Sequence, residues 1–493
     1  MKLNREHMLL AIVFVVVLIA RLAFMSSEGS FDNSSYFALR QAEHIRQTGL
    51  PLFNDPLSYS GRTFIFPPLF HYLLAGLSIV ISLSLAAKIL TSVLFACLAL
   101  TVYAIAKYLT KNRTASFLAA LFSGLIPAMY SNVNSISAMP LSLLLAFLLS
   151  YTFMRLEEKG FATLSIIITV LLLLTEASIF LLLLTFMFYF VVLALEQQSP
   201  NNKEVELTVF LFFLSLWFYI LVYKKAFFIN GLRVIWENMP APLLSSYFSD
   251  INFIGLIYSV GVFSLVLGVY AIYNVFFKTK SRATNLYISF ALISFVMLWF
   301  KMITLSSGLM FLSTCMIILS SYSIKTMMVS ISKTKISHRI NIVLGAVVVL
   351  FILTSIAPFF TLGKSQAPAQ DELSALDWIK ENTGPDVVVL GRVEEGFLIN
   401  YFAQRKNVAD TNFLFINNIN QRYSDVESML TIRIKSEAVR LINRYKADYI
   451  YLSSSSMEEY NITMLFYADP DCFEKVYDNE TMIYRFLGCT IND

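Results

Sequence analysis

The stretch FPPLFHYLLAGLSIVISLS, residues 66–84, decides how the whole chain is threaded. It is apolar and close to the length that crosses ~30 Å of hydrocarbon. It nonetheless opens on Pro67-Pro68 and carries His71 and Tyr72, which suit an element lying at the membrane–water boundary. The next apolar run, about 88–108, ends at Lys107, with Lys111 and Arg113 following. Short basic loops mark the cytoplasmic side of a membrane protein. Two full crossings in succession would leave these bases outside. The simpler solution makes 66–84 a dipping or interfacial helix in the first external loop.

The remaining spans are then expected at about 8–24, 88–108, 115–130, 140–156, 161–175, 178–195, 207–223, 254–277, 285–300, 304–323 and 340–361. That makes about eleven crossings of a polytopic α-helical membrane protein. The N-terminus is cytoplasmic and residues 365–493 are outside. Lys2/Arg5, Arg155/Lys159, Lys203, Lys278/Lys280/Arg282 and Lys325/Lys333/Lys335/Arg339 then all face the cytoplasm. Lys224, Lys225 and Arg233 are exceptions, in a long external loop at about 224–252. The other long external loop is about 25–87. Met8–Phe24 lacks a small-x-small cleavage signal and reads as a retained signal anchor. The division is a transmembrane domain, 1–362, and an extracellular soluble α/β domain, 363–493.

Composition agrees. Of 493 residues, 57% are hydrophobic and 14% charged, against about a quarter charged in soluble domains. The net charge of +4 gives no nucleic-acid signal. No P-loop, GxGxxG, HExxH or CxxC is present, which argues against an ATP-driven pump or a nicotinamide enzyme. No internal repeat of the transporter kind is seen. Cys97 and Cys315 lie in apolar runs; Cys472 and Cys489 could pair in an extracellular domain, but spacing leaves that open.

Past residue 365, helix and strand patterns alternate. ELSALDWIKENTG places Leu373, Leu376 and Ile379 on one helical face, and Gly384-Pro385 stops it. DVVVLG and DYIYLS read as strands, with helices near 395–404 and about 424–445 between them. FEKVYDNETMIYRF reads as a hairpin turning at Asp478-Asn479. Ser453–Ser456 is a short low-complexity tract.

Asp32 sits just past the first span, beside Asn33. A carboxylate there could ligate a divalent cation, act as a base, or merely cap a helix. Asp55 precedes a proline, as in ordinary turns. Glu176 lies between two apolar runs. Asn33-Ser34-Ser35, Asn461-Ile462-Thr463 and Asn479-Glu480-Thr481 match the glycosylation triplet.

FDNSSYFALRQAEHIRQTG (31–49) and LPLFNDPLSYSGRTFIFPPLFHY (50–72) together resemble the first external loop of GT-C membrane glycosyltransferases, above all the archaeal oligosaccharyltransferase catalytic subunits. The order of long first loop, many spans and C-terminal α/β domain is similar too. The resemblance implies transfer of a sugar or oligosaccharide from a polyprenyl-phosphate- or diphosphate-linked donor to a protein or glycan acceptor at the outer face of the bilayer. It implies that Asp32 helps hold Mn²⁺ or Mg²⁺. Glu237, in RVIWENMPAP (233–242), matches a family glutamate that positions the acceptor and touches the metal. Lys301, in WFKMITLSSGLMF (299–311), stands where the family meets the donor phosphate. Asp55, Arg62, His71, Glu394 and Glu395 fall in family-like substrate-binding stretches. Two departures matter. YSNVNSISAMP (130–140) has Asn132 and Asn134 where the family has an acidic pair, and Arg392-Val393-Glu394-Glu395-Gly396 replaces the family's W-W-D-Y-G. The alternative they raise is a non-catalytic relative that binds lipid-linked glycans or serves an envelope-assembly complex.

Overall fold

Ser82, Asn112 and Thr304 each precede an apolar run, and each caps a helix. Their side chains accept the backbone N–H of Leu85 (3.4 Å), Ala115 (3.0 Å) and Ser307 (3.4 Å). The computed structural model describes residues 5–27, 30–131, 133–231, 239–249, 253–334, 337–362 and 367–489. The first helix, α1 (Arg5–Ser27), leads to a segment made of α2 (Ser35–Thr48), β1 (Asn54–Asp55), β2 (Arg62–Thr63) and α3 (Leu69–Leu77). The bundle continues with α4 (Leu83–Thr110), α5 (Arg113–Ser123), α6 (Pro127–Tyr130), α7 (Met139–Phe153), α8 (Phe161–Leu173), α9 (Ile179–Leu195) and α10 (Asn202–Asn230). It closes with α11 (Ala241–Ser249), α12 (Phe253–Val260), α13 (Val262–Asn274), α14 (Arg282–Trp299), α15 (Leu305–Ser332) and α16 (Ile340–Leu362).

Among the described residues, six helices are long and apolar enough to cross a membrane: α1, α4, α10, α14, α15, and α13 with its π-helical extension. Helices α7, α8, α9 and α16 hold shorter apolar stretches. The segment 66–84 is not a single long helix. Only the nine residues of α3 are helical before the chain breaks and α4 begins at Leu83. The expected span at 115–130 is broken between α5 and α6: Ile126, ahead of Pro127, is extended, and Gly124 at the end of α5 lets α1 pass close by. A Cβ there would meet Val17 Cγ2 at 2.1 Å. The segment 254–277 is broken at Gly261, whose φ of +91° suits glycine. Helix α10 runs to Asn230, beyond the expected start of the external loop at 224.

The C-terminal α/β unit comprises α17 (Gln370–Asn382), β3 (Val388–Leu390), α18 (Gly396–Leu398), β4 (Lys406–Asn407), α19 (Ile419–Thr431), α20 (Lys435–Tyr445), β5 (Tyr449–Leu452), α21 (Ser454–Tyr460), β6 (Phe473–Asp478) and β7 (Met482–Phe486). Its sheet order is β4-β3-β5-β7-β6. Strands β3, β4 and β5 are parallel, and β7 pairs antiparallel with β5 and β6. Val389, Leu390, Ile450, Tyr451 and Ile483 are fully buried at its centre. The helix expected over 424–445 is two helices, α19 and α20, separated at residues 432–434. Cys472 and Cys489 form a disulfide that ties the start of β6 to the chain after β7.

Candidate functional site

Asp32 lies where three parts of the chain meet. Its backbone N–H donates to Asn134 O at 3.3 Å. Ser35, at the start of α2, donates its hydroxyl to the same carbonyl (3.2 Å) and accepts the Ile136 N–H (2.8 Å). The entry to α2 is thus bonded to the loop 131–138. One turn on, Tyr36 packs against Tyr401 and Phe402, with ring centroids 5.1 and 5.0 Å apart. Those rings sit on a π-helical turn, Ile399–Ala403, of the C-terminal unit, and such turns concentrate at functional sites. Ser30 adds a hydroxyl bond to Pro368 O (3.3 Å). The start of the first loop, the loop after α6 and the C-terminal unit therefore meet around residues 30–36, the stretch that carries Asp32.

The base of the second loop is held from inside the bundle. Arg21 of α1 is 2% exposed, donates to Met129 O (2.8 Å), and lies over the rings of Phe95 (3.8 Å) and Tyr130 (5.3 Å). A cationic side chain this deep requires such partners. It takes a carbonyl that the short helix α6 leaves unbonded.

The first loop docks on the C-terminal unit a second time. Tyr59 and Ser60 adopt left-handed φ values of 49° and 61°, ahead of Gly61 at 117°. This costly turn drives Tyr59 into the C-terminal unit, where its hydroxyl donates to Asp410 O (2.7 Å) and its N–H to Asn407 Oδ1 (2.6 Å). Ser58 donates to the Asp410 carboxylate. Arg62 pairs with Asp410 (3.6 Å), donates to Asn412 O, and lies over Phe64 (4.0 Å). Burial raises the Asp410 pKa, and Arg62 opposes the rise. Gly396 permits the close approach of Ala409 and Asp410, since a Cβ there would meet Ala409 O at 2.2 Å and Asp410 Cβ at 2.6 Å.

Several residues expected to face substrate have partners inside the chain. Asp55, 2% exposed, accepts both guanidinium arms of Arg40 (2.6 and 2.7 Å) and the Leu57 N–H (2.9 Å). Arg62 is committed as described. His71 is enclosed by Phe37, Phe66 and Phe70, at 5.7, 4.9 and 5.8 Å, and burial holds its pKa down to about 4, so it is neutral at pH 7. Glu395 is 1% exposed and accepts the Ser453 and Ser456 hydroxyls and the Arg392 N–H. Glu394, beside it, pairs with Arg392 at 3.3 Å. Each of the five is thus engaged by neighbours within the chain. Lys301 is exposed just beyond α14, its ammonium 5.3 Å from the Phe248 ring centroid of α11. Glu237 lies outside the described residues. No local signal announces that residues 58–62 and 407–412 bind each other, although 58–62 lies in the quoted stretch 50–72. Arg40 as the partner of Asp55, and Arg21 as a clamp, carried no local signal.

Among the described residues no three metal-ligating side chains of the His, Cys, Asp or Glu type cluster. Asp32 is accompanied by Asn33, whose buried Oδ1 has no hydrogen-bond partner. One carboxylate and one orphaned amide oxygen suit a hard dication that keeps several waters and completes its shell with phosphate.

The same arrangement of parts occurs in solved structures. The apo oligosaccharyltransferase of Archaeoglobus fulgidus superposes with a TM-score of 0.71 at 14% identity, covering 93% of this chain and 70% of that one. AglB from the same organism, in complex with an inhibitory peptide and a dolichol-phosphate, gives 0.68 at 14% identity, covering 90% and 70%. ArnT from Cupriavidus metallidurans, bound to undecaprenyl phosphate, gives 0.57 at 11% identity, covering 96% and 97%. The chain has the GT-C fold. No family model matches its sequence, and no curated protein does. The GT-C fold and the apolar helices make this a multi-pass membrane protein.

Proposed function

We propose that this chain is a membrane glycosyltransferase that moves a sugar or oligosaccharide from a polyprenyl-phosphate- or diphosphate-linked donor to a protein or glycan acceptor at the outer face. The observation that carries this is the convergence at Asp32 of the first loop, the loop 131–138 and the C-terminal unit. A donor held in the bilayer and an acceptor arriving from water can meet only at such a boundary. The neighbours with bound dolichol-phosphate and undecaprenyl phosphate support a lipid-phosphate donor.

In this reading an acceptor nucleophile displaces phosphate or diphosphate at the anomeric carbon. The leaving group is already activated, so charge neutralisation matters more than an acid. Asp32 and the Asn33 amide oxygen would hold Mn²⁺ or Mg²⁺, and Glu237, outside the described residues, is the further ligand that the resemblance implies; the cation would neutralise the departing phosphate. Lys301 offers that phosphate a point charge at the bilayer surface. The domain division falls near residue 362, with eleven crossings, the N-terminus cytoplasmic and the C-terminal unit outside. The Cys472–Cys489 disulfide supports that side, since such bonds persist in oxidising compartments. With both tryptophans of the family's acceptor motif replaced, the acceptor is left open between asparagine of a peptide and a glycan hydroxyl.

The test is transfer in vitro. Purified protein in lipid receives a polyprenyl-linked glycan extract, Mn²⁺ and a peptide carrying Asn-x-Thr. Glycopeptide formation is expected for a protein acceptor, and consumption of the lipid donor without glycopeptide for a glycan acceptor. A donor that stays intact under all conditions contradicts the reading.

A further inference from the structure

Four Asn-x-Ser/Thr triplets occur in the sequence. Asn112-Arg113-Thr114 lies between α4 and α5, on the side that the proposed threading makes cytoplasmic, and its asparagine caps α5 by accepting the Ala115 N–H (3.0 Å). The other three are not equivalent once folded. Such a triplet works as an acceptor when both its asparagine amide and its hydroxyl are reachable on a surface segment. At Asn33-Ser34-Ser35 the third residue is fully buried and its hydroxyl is bonded on both sides, to Asn134 O and from the Ile136 N–H. At Asn479-Glu480-Thr481 the threonine is again fully buried, its N–H donates to the Asp371 carboxylate (2.6 Å), and the asparagine amide donates to the Tyr477 hydroxyl (3.2 Å). Opening that triplet would break the β6–β7 hairpin.

Asn461-Ile462-Thr463 differs at every point. Asn461 and Thr463 are both exposed, and among the described residues no side-chain hydrogen bond engages either. The chain there is irregular, between the end of α21 and β6. Asn461 closes α21 with φ 50° and ψ 48°, a left-handed cap for which asparagine is well suited. That geometry accounts for the asparagine but not for an exposed threonine two residues later. Ile462 between them is 8% exposed, so the turn is pinned while its two reactive ends face water.

We propose that Asn461 is an N-glycan acceptor, the one triplet of the three on the proposed external side that the described residues leave open to modification in the folded protein. This rests on the reading that the C-terminal unit faces outside. In the transfer the Asn461 side-chain nitrogen bonds to the anomeric carbon of a polyprenyl-diphosphate-linked glycan. The bond from that carbon to the phosphate oxygen breaks, the diphosphate leaves with the electron pair, and the amide gives up one proton to solvent.

The experiment is glycopeptide mapping by mass spectrometry on the full-length protein purified from its own membranes, with a known surface glycoprotein of the same cells as control. A glycan mass is expected on the peptide holding residues 461–463, absent in Asn461→Gln and Thr463→Ala and restored in Thr463→Ser. The Asn33 and Asn479 peptides are expected bare. An unmodified 461–463 peptide beside a modified control glycoprotein overturns the proposal, as does a glycan on Asn479 instead. Since the transfer assay above is scored separately, donor turnover with a bare Asn461 would sink this inference alone.

Discussion

Glu395 shows how much of a residue's surroundings its neighbours in sequence leave out. The two adjacent glutamates look like a replacement recognition motif. In the fold, Glu395 is enclosed, with Ser453 and Ser456 donating to it, while Glu372 accepts from Ser454 and Ser455. The serine tract is thus clasped by two buried carboxylates, which explains a run that composition alone marks only as low complexity. Burial lifts the Glu395 pKa from 4.5 to about 7, with Arg392 opposing the rise. The folded state therefore holds a proton that the unfolded chain has released between these values. Stability contributed by this group is full below pH 4.5 and lost as pH rises through 7, by about 3 kcal/mol. Glu395→Gln keeps an oxygen to accept from the serines. It is expected to flatten the fall in melting temperature between pH 5 and pH 8; an unchanged slope in thermal scans would show that another group causes it.

At the scale of elements, the disulfide closes a separation of 17 residues around β6 and β7. Replacing both cysteines with serine is expected to cost about 3 kcal/mol, seen as a lower melting temperature of the full chain that reductant no longer alters. Equal melting of variant and wild type would contradict a stabilising role. The positions of most apolar helices, of α17, of β3 and β5, and of the β6–β7 hairpin could be read from periodicity, because each rests on local pattern. The breaks could not. The chain turns extended at Ile126 before Pro127, and residues 432–434 separate α19 from α20 within one continuous amphipathic pattern. The site was half legible for the same reason. Asp32 stands out by its place after a span, whereas Ser58 and Asp410 meet across 352 residues and nothing local announces it.

For the whole molecule, the proposed threading puts the C-terminal unit outside and the α15–α16 connection inside. Glu458→Cys, on exposed α21, is expected to react with an impermeant maleimide on intact cells. Lys333→Cys, exposed after α15, is expected to react only after permeabilisation. The reverse pattern would contradict the orientation. The central claim is that the junction of first loop, second loop and C-terminal unit is a transfer site built around Asp32. The most direct measurement is the rate of lipid-linked donor consumption by wild type and Asp32→Ala in matched proteoliposomes, with melting temperatures taken alongside. The account predicts that the variant melts like the wild type and turns over donor about 100-fold more slowly or worse, the scale expected when charge stabilisation at a reacting centre is removed. A folded Asp32→Ala protein that consumes donor at the wild-type rate would contradict it.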